Sequence, residues 1–231
     1  MALSFSGRTI GDITVLKCEG RIVEGAESAA LRERVNEVLG HTPAIVLDLG
    51  DVHVIDSGGL GMLVRVLART GQDNFKLCRL TSRFSETLKI TRLAAVFDCY
   101  QSEAEAIAAF YRTPIGANRA SPFVAPNVLC VGKSAELLTY MQEVLRQAGL
   151  RVATTDNLPD AVTLLKATTP QVVVVDPELR SAGTTGMVEI FNQLINTMSV
   201  VDLPADFARQ DPIETGPQLV ERVRASIGGA T

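Results

Sequence analysis

The sequence predicts an α/β protein with a mixed β-sheet and helices in its N-terminal half, followed by a shortened parallel sheet. Two observations support this prediction. Strand-type and helix-type segments alternate in both halves, and the segment between the halves, 112–126, contains three prolines. We therefore expect a domain over 1–111, a Pro-rich linker over 112–126 and a second domain over 127–231.

In the first half, two β-rich segments at 3–9 and 13–20 flank Gly11-Asp12, a pair typical of hairpin turns. Apolar residues at helical spacing, and short apolar runs, define the remaining elements in the order α-β-α-β-α-β-α. The predicted helices span 26–39, 58–70, 83–91 and 103–111, and the predicted strands span 44–49, 75–80 and 96–100.

The second half begins again with a buried-type strand at 128–131, and a βαβαβ pattern follows. Such a pattern predicts parallel strands joined by right-handed crossovers. The stretch from 204 to 216 has no clear pattern. The further predicted elements are helices at 135–148, 158–167, 186–197 and 217–227, and strands at 151–154, 171–175 and 199–203.

Composition excludes several classes of function. The formal net charge is −4, with Lys and Arg scattered, which argues against nucleic acid or an anionic membrane as main partner. No apolar run approaches the length of a membrane span. With two histidines and no CxxC pair, we expect neither metal nor cofactor. The cysteines (Cys18, Cys78, Cys99, Cys130) indicate buried free thiols in a cytoplasmic protein.

The most informative segment opens the helix predicted at 58–70. There Ser57 stands at or next to the N-cap, where its hydroxyl would satisfy free backbone N–H groups, and the helix dipole favours a phosphate. Phosphorylation beside Asp56 would create a local negative patch. The neighbouring glycines would leave the backbone open to another protein. From spacing alone, the alternative is that Asp56 and Ser57 only cap the helix and the glycines only fit a tight turn.

Residues 3–111 resemble a STAS domain of the anti-sigma-factor antagonist type. The resemblance is carried by the strand at 45–49 and by Val54-Ile-Asp-Ser-Gly-Gly-Leu-Gly61. The family typically has Asp-Ser-Ser/Thr-Gly-Leu-Gly at this turn, so Gly58 departs from it by removing a second hydroxyl.

The resemblance implies that an anti-sigma serine kinase phosphorylates Ser57. The unphosphorylated form would bind this kinase and free a sigma factor, and a serine phosphatase of the metal-dependent class would reset the switch. The implied partner surface consists of Asp56, Ser57, Gly58, Gly59, Leu60 and Met62.

Residues 127–227 resemble a degenerate response-regulator receiver, a flavodoxin-like fold. Asp176 occupies the position that the family phosphorylates, after the strand at 171–175. The acidic pair that holds magnesium in the family is replaced by Gly132-Lys133-Ser134. We therefore expect little phosphorylation of Asp176, an ion pair between Lys133 and Asp176, and a role in protein contact or homodimerisation.

Together these features predict an anti-sigma-factor antagonist in a bacterial partner-switching pathway, without enzymatic activity. The alternative is a STAS scaffold or dimerisation module that is not phosphorylated. An enzyme is disfavoured because the sequence has no P-loop or G-x-G-x-x-G motif. Ile55 also stands where G-x-S-x-G needs glycine, and His53 has no evident orienting partner.

Overall fold

A computed structural model describes residues 2–111, 125–176, 178–179 and 186–228. The chain divides into two compact units, Met1–Pro122 and Phe123–Thr231. Most of the predicted linker, residues 112–124, lies outside the described residues. Each unit contains its own sheet and hydrophobic core, and both are of the α/β class that the sequence predicts.

The described part of the first unit forms a five-stranded sheet in the order β1-β2-β3-β4-β5. The hairpin β1–β2 is antiparallel and the other neighbours are parallel, so the sheet is mixed, as predicted. The strands are β1 (Ser4–Ile10), β2 (Ile13–Ile22), β3 (Ala44–Ile55), β4 (Phe75–Cys78) and β5 (Cys99–Tyr100), and the helices are α1 (Ala26–Leu39), α2 (Ser57–Thr70), α3 (Ser82–Ile90) and α4 (Glu103–Tyr111).

Strand β3 is longer than predicted, because the sequence at 50–53 resembles a loop but remains extended. Asp51–Ile55 continue to pair with Glu19–Ile22 of β2, with two register shifts along the ladder. Pairing with β4 ends earlier, at Asp48 opposite Cys78. The end of β3 therefore carries the chain past β4 to the start of α2.

A buried carboxylate lies where β4 ends. Asp48 is 3% exposed, and both of its oxygens accept hydrogen bonds from Nε of Arg79, at 2.8 and 2.9 Å. Arg79 has a left-handed backbone, with φ of 54°. A Cβ on Gly50 would lie 3.0 Å from the guanidinium carbon of Arg79. The glycine in β3 therefore makes room for this ion pair.

The second unit contains a four-stranded parallel sheet in the order β7-β6-β8-β9 among the described residues. This arrangement is consistent with the predicted shortened, flavodoxin-like fold. The strands are β6 (Val128–Val131), β7 (Val152–Thr155), β8 (Val172–Val175) and β9 (Ser199–Asp202), and the longer helices are α5 (Ala135–Gln147), α6 (Leu158–Thr168), α7 (Gly186–Ile195) and α8 (Pro212–Gly228).

Helix α8 begins earlier than predicted, at Pro212, and contains Pro217. The hydroxyl of Tyr140 donates to the carbonyl of Pro212 at 2.7 Å and lies 3.1 Å from the Thr215 hydroxyl. These bonds hold the first turn of α8 against α5. Tertiary contact therefore fixes a helix start for which the sequence gives no periodic signal.

The four cysteines of the chain differ in their exposure. Cys18, Cys78 and Cys130 are buried, but Cys99 is exposed, because the short edge strand β5 leaves it at the surface. The prediction of four buried thiols was therefore wrong at Cys99. Within the described part of the chain, no helix is long and apolar enough to cross a membrane.

Candidate functional site

Asp56 joins the start of α2 to the loop between β2 and α1. It is the N-cap residue, and its Oδ1 accepts a hydrogen bond from the Gly59 amide at 2.7 Å. Both carboxylate oxygens also lie 3.1 Å from the backbone nitrogen of Glu24, which donates to them. One carboxylate thus satisfies backbone donors of two separate segments.

Ser57 is the first residue of α2 and is exposed. The sequence predicted that its hydroxyl would satisfy backbone N–H groups. The structure gives that role to the carboxylate of Asp56, which is the stronger acceptor and lies at the N-cap. The Ser57 hydroxyl is therefore not needed to cap the helix, and it lies at the positive end of the helix dipole.

Steric contacts explain two of the three glycines that follow. A Cβ on Gly58 would lie 2.4 Å from Cβ of Glu24, and one on Gly59 would lie 2.1 Å from the carbonyl oxygen of Ile22. A Cβ on Gly61 would meet no atom within 4 Å. Gly58 thus allows the start of α2 to pack against the β2–α1 loop, and Gly59 allows it to pack against the end of β2, which differs from the open backbone predicted for them.

The burial of α2 narrows the predicted partner surface. Leu60 is 7% exposed and Met62 is 3% exposed, because both side chains point into the core of the first unit. Gly59 is buried as well. In this packing, these three residues offer a partner almost no surface, contrary to the prediction. Asp56, Ser57 and, in part, Gly58 remain at the surface.

The hydrogen bonds to Asp56 predict a pH-dependent contact. The backbone N–H of Gly59, followed by that of Glu24, lowers the pKa of Asp56 below its ordinary value of 3.8. A lowered folded-state pKa means that the stabilisation is complete above about pH 4 and is lost as the pH falls through the folded-state pKa.

We therefore expect the protection of the Glu24 and Gly59 amides against hydrogen exchange, measured relative to the intrinsic exchange rate, to fall at acid pH. This is measurable by NMR after correction for the intrinsic pH dependence. The Asp56→Asn variant should lose this acid-linked change, because an amide side chain does not titrate. Identical corrected profiles in the two proteins would show that Asp56 does not hold the loop.

A small cleft lies beside the site, between the end of β3 and α3. Its volume is about 40 Å³, which is room for a few water molecules. It is lined by Val52, His53, Val54, Ile55, Thr81, Arg83, Phe84 and Thr87. His53 is exposed. In the described residues, no group of three or more His, Cys, Asp or Glu side chains is arranged to hold a metal ion.

The second predicted site residue, Asp176, follows β8 and is 9% exposed. The Oδ1 of Asp176 accepts a hydrogen bond from the Glu178 amide at 3.0 Å. A Cβ added to Gly132 would lie 3.3 Å from the Cβ of Asp176. Lys133 is exposed and forms no ion pair with Asp176. The predicted ion pair between Lys133 and Asp176 was therefore wrong, because Asp176 accepts a hydrogen bond from the backbone of the following turn instead. A cavity of about 320 Å³ lies beside these residues.

Comparison with known proteins supports the STAS prediction. The family model of the STAS domain matches residues 5–106, slightly less than half of the chain, and confirms a STAS domain over that part of the chain. The receiver resemblance predicted for the second half is not confirmed by these comparisons.

Solved structures with a similar fold are related only distantly. An anti-sigma factor antagonist from Mycobacterium paratuberculosis is 22% identical, with a TM-score of 0.42, and the match covers 47% of this chain and 93% of that one. A putative anti-sigma factor antagonist from Thermotoga maritima is 22% identical, with a TM-score of 0.44, over 47% and 95% of the two chains. The Bacillus cell fate determinant SpoIIAA in its phosphorylated form is 14% identical, with a TM-score of 0.37, over 45% and 96%.

One residue of the site escaped the sequence analysis. Glu24 lies over Gly58 and donates its amide to Asp56, although the two segments are far apart in sequence. The segment Val23-Glu24-Gly25 has no motif that predicts this contact. The one available signal was Gly25, whose φ of 112° turns the chain toward α1.

Proposed function

We propose that the first half of this chain is a phosphorylatable anti-sigma-factor antagonist in a bacterial partner-switching pathway. In this proposal, unphosphorylated Ser57 binds an anti-sigma serine kinase, and phosphorylation of Ser57 releases it. A serine phosphatase of the metal-dependent class would restore the binding form. The observation that carries the proposal is an exposed serine hydroxyl that is not needed as a cap, at the start of α2 in a STAS domain.

Local charge explains how phosphorylation would act. A phosphate on Ser57 would add a charge of about −1.5 to −2 at pH 7. It would stand beside the exposed carboxylate of Asp56 and next to the loop that carries Glu24. A partner surface that packs closely on the neutral hydroxyl would then have to accommodate a bulky, strongly hydrated phosphate, and the core of the domain need not rearrange.

The second unit is proposed to provide a protein contact, including contact with a second copy of the chain, and not a phosphorylation site. Asp176 is nearly buried, and the position of the acidic pair is occupied by Gly132 and Lys133. The Asp176 carboxylate already accepts a hydrogen bond from the Glu178 amide, and a single carboxylate provides too few oxygen ligands to hold a magnesium ion well. We propose domain boundaries of 1–111 and 127–231 and a cytoplasmic location.

The first prediction concerns modification of the protein in its native cells. Intact-mass spectrometry and mapping of the peptide over 44–65 should reveal a single phosphate, on Ser57. Incubation with a purified anti-sigma serine kinase and ATP should add the same phosphate to the wild type and none to Ser57→Ala. In a binding assay with that kinase, Ser57→Ala should bind and Ser57→Asp should not.

Ser82 offers a matched control for this experiment. It is also an exposed first residue of a helix, but it follows Thr81, a neutral N-cap, and has no glycines after it. The Ser82→Ala variant should be phosphorylated like the wild type. If the wild type stays unmodified both in growing and in stressed cells and with the kinase, the scaffold alternative replaces the switch.

A further inference from the structure

The β2–α1 loop contacts the residues on both sides of the serine of the candidate site, Asp56 and Gly58. Its residue Glu24 is held there by two contacts: its amide donates to Asp56 at 3.1 Å, and its Cβ occupies the space that a side chain at position 58 would need. With Cβ atoms 2.4 Å apart, one of the two residues would have to move. Glu24 therefore explains why glycine stands where the family has a second hydroxyl.

The carboxylate of Glu24 is also free to interact with another molecule. Glu24 is exposed, and its carboxylate forms no hydrogen bond or ion pair with any residue that the structure describes. The nearby Arg21 is bound instead to Glu27, at 3.0 Å. Several other acids of the first unit are already paired with a base: Glu27, Glu37, Asp48, Asp51, Asp98 and Glu103.

The two acids at this site have different roles. Both oxygens of Asp56 already accept backbone hydrogen bonds, so this residue serves mainly to hold the loop and the helix together. Glu24 has a fixed backbone and an unused carboxylate. Because the backbone of Glu24 is already held, only its side chain has to be ordered when the carboxylate meets an opposite charge on a partner.

We propose that Glu24 determines the specificity of the Ser57 site. Its packing against Gly58 restricts phosphorylation to one hydroxyl, and its carboxylate binds a cationic side chain, Arg or Lys, on the protein that docks at Ser57. This inference rests on the proposed function, since it concerns the recognition of the same serine. It adds a residue and a partner chemistry that the STAS resemblance does not supply.

The charge is tested by kinetics with the purified anti-sigma serine kinase as the probe. Glu24→Gln keeps the size of the side chain and should lower kcat/KM for phosphorylation of Ser57 about tenfold, the size of effect expected for a charge-assisted hydrogen bond. The change should lie in KM, with kcat nearly constant, because Glu24 does not touch the reacting atoms. Glu24→Lys should lower kcat/KM further.

Two controls separate recognition from folding. Glu33→Gln removes another exposed acid, on α1, and should leave kcat/KM unchanged. The thermal unfolding midpoints of the wild type and Glu24→Gln should agree, because neither contact of Glu24 within the domain uses its carboxylate. A KM for Glu24→Gln equal to that of the wild type overturns the proposed recognition.

The steric part is tested by restoring the second hydroxyl. Gly58→Ser alone should lower the unfolding midpoint. Glu24→Gly should rescue it, because the Cα of Glu24, at 3.1 Å from the added Cβ, needs to shift only slightly. Glu24→Ala should not rescue it, because alanine keeps the colliding Cβ. In the rescued double variant, the kinase should phosphorylate two positions in place of one.

The outcomes distinguish this inference from the function on which it rests. If the kinase does not phosphorylate the wild type, the proposed function and the inference fail together. If it phosphorylates the wild type and Glu24→Gln with equal kcat/KM, the inference about recognition fails and the switch stands. If Gly58→Ser is as stable as the wild type, Glu24 does not restrict the acceptor.

Discussion

Replacing Gly59 by alanine is expected to destabilise the first unit more than any other single methyl group added at the start of α2. The new Cβ would lie 2.1 Å from the carbonyl oxygen and 2.7 Å from the carbonyl carbon of Ile22. These are backbone atoms of a central strand, so they cannot move aside as a flexible side chain could. We expect a loss of about 3 kcal/mol in the free energy of unfolding, the upper part of the range for overpacking.

Gly61→Ala is the matched control, because it adds the same methyl group two residues further along the same helix. No atom lies within 4 Å of the added Cβ. Alanine favours the helix over glycine, so a gain of about 0.5–1 kcal/mol is expected. Urea unfolding of the full chain should be followed by circular dichroism, with hydrogen exchange of peptides from 2–111 to assign the transition. Equal stability of the two variants would refute the close contact of α2 with β2.

The second large effect is expected at the buried ion pair. Arg79→Ala leaves the Asp48 carboxylate, 3% exposed, without the guanidinium that binds both of its oxygens. Removing one partner of a buried pair is costly because the remaining charge stays desolvated. Since the Arg79 side chain is itself 42% exposed, solvent offsets part of this cost, and we expect a loss of about 2 kcal/mol.

Arg34→Ala serves as the comparison for this prediction. Arg34 pairs with Glu37 one helical turn away, and the Glu37 side chain is 61% exposed. An exposed pair of this kind contributes about 0.5 kcal/mol or less. The same urea titration should therefore separate the two variants clearly. A loss for Arg79→Ala no larger than that for Arg34→Ala would mean that water satisfies Asp48 in place of the arginine.

Much of the first unit could be predicted because its signals are local. Alternating and apolar runs mark the strands, and the spacing of Leu60, Leu63 and Leu67 marks the buried face of α2. Helical spacing by itself puts Leu60 on the same face as Leu63 and Leu67. The family pattern favoured it as a partner contact, and in the structure burial prevails.

The features that escaped prediction depend on contacts between segments distant in sequence. Gly50 and Asp51 are typical loop residues, yet pairing with β2 keeps them in an extended strand. Gly58 was interpreted as the loss of a hydroxyl, but its neighbour Glu24, 34 residues earlier, explains it sterically. In the second unit, the start of α8 depends on Tyr140, more than 70 residues before it.

The contact between Glu24 and Gly58 also restricts which substitutions this chain tolerates at position 58 during evolution. A second hydroxyl at position 58 displaces the β2–α1 loop and lowers stability as long as position 24 carries any side chain that begins with Cβ. The loop and the helix start must therefore evolve together. Among descendants of a common ancestor, we expect glycine at position 58 to accompany this short turn between Ile22 and Ala26, and serine or threonine to accompany a turn of different length.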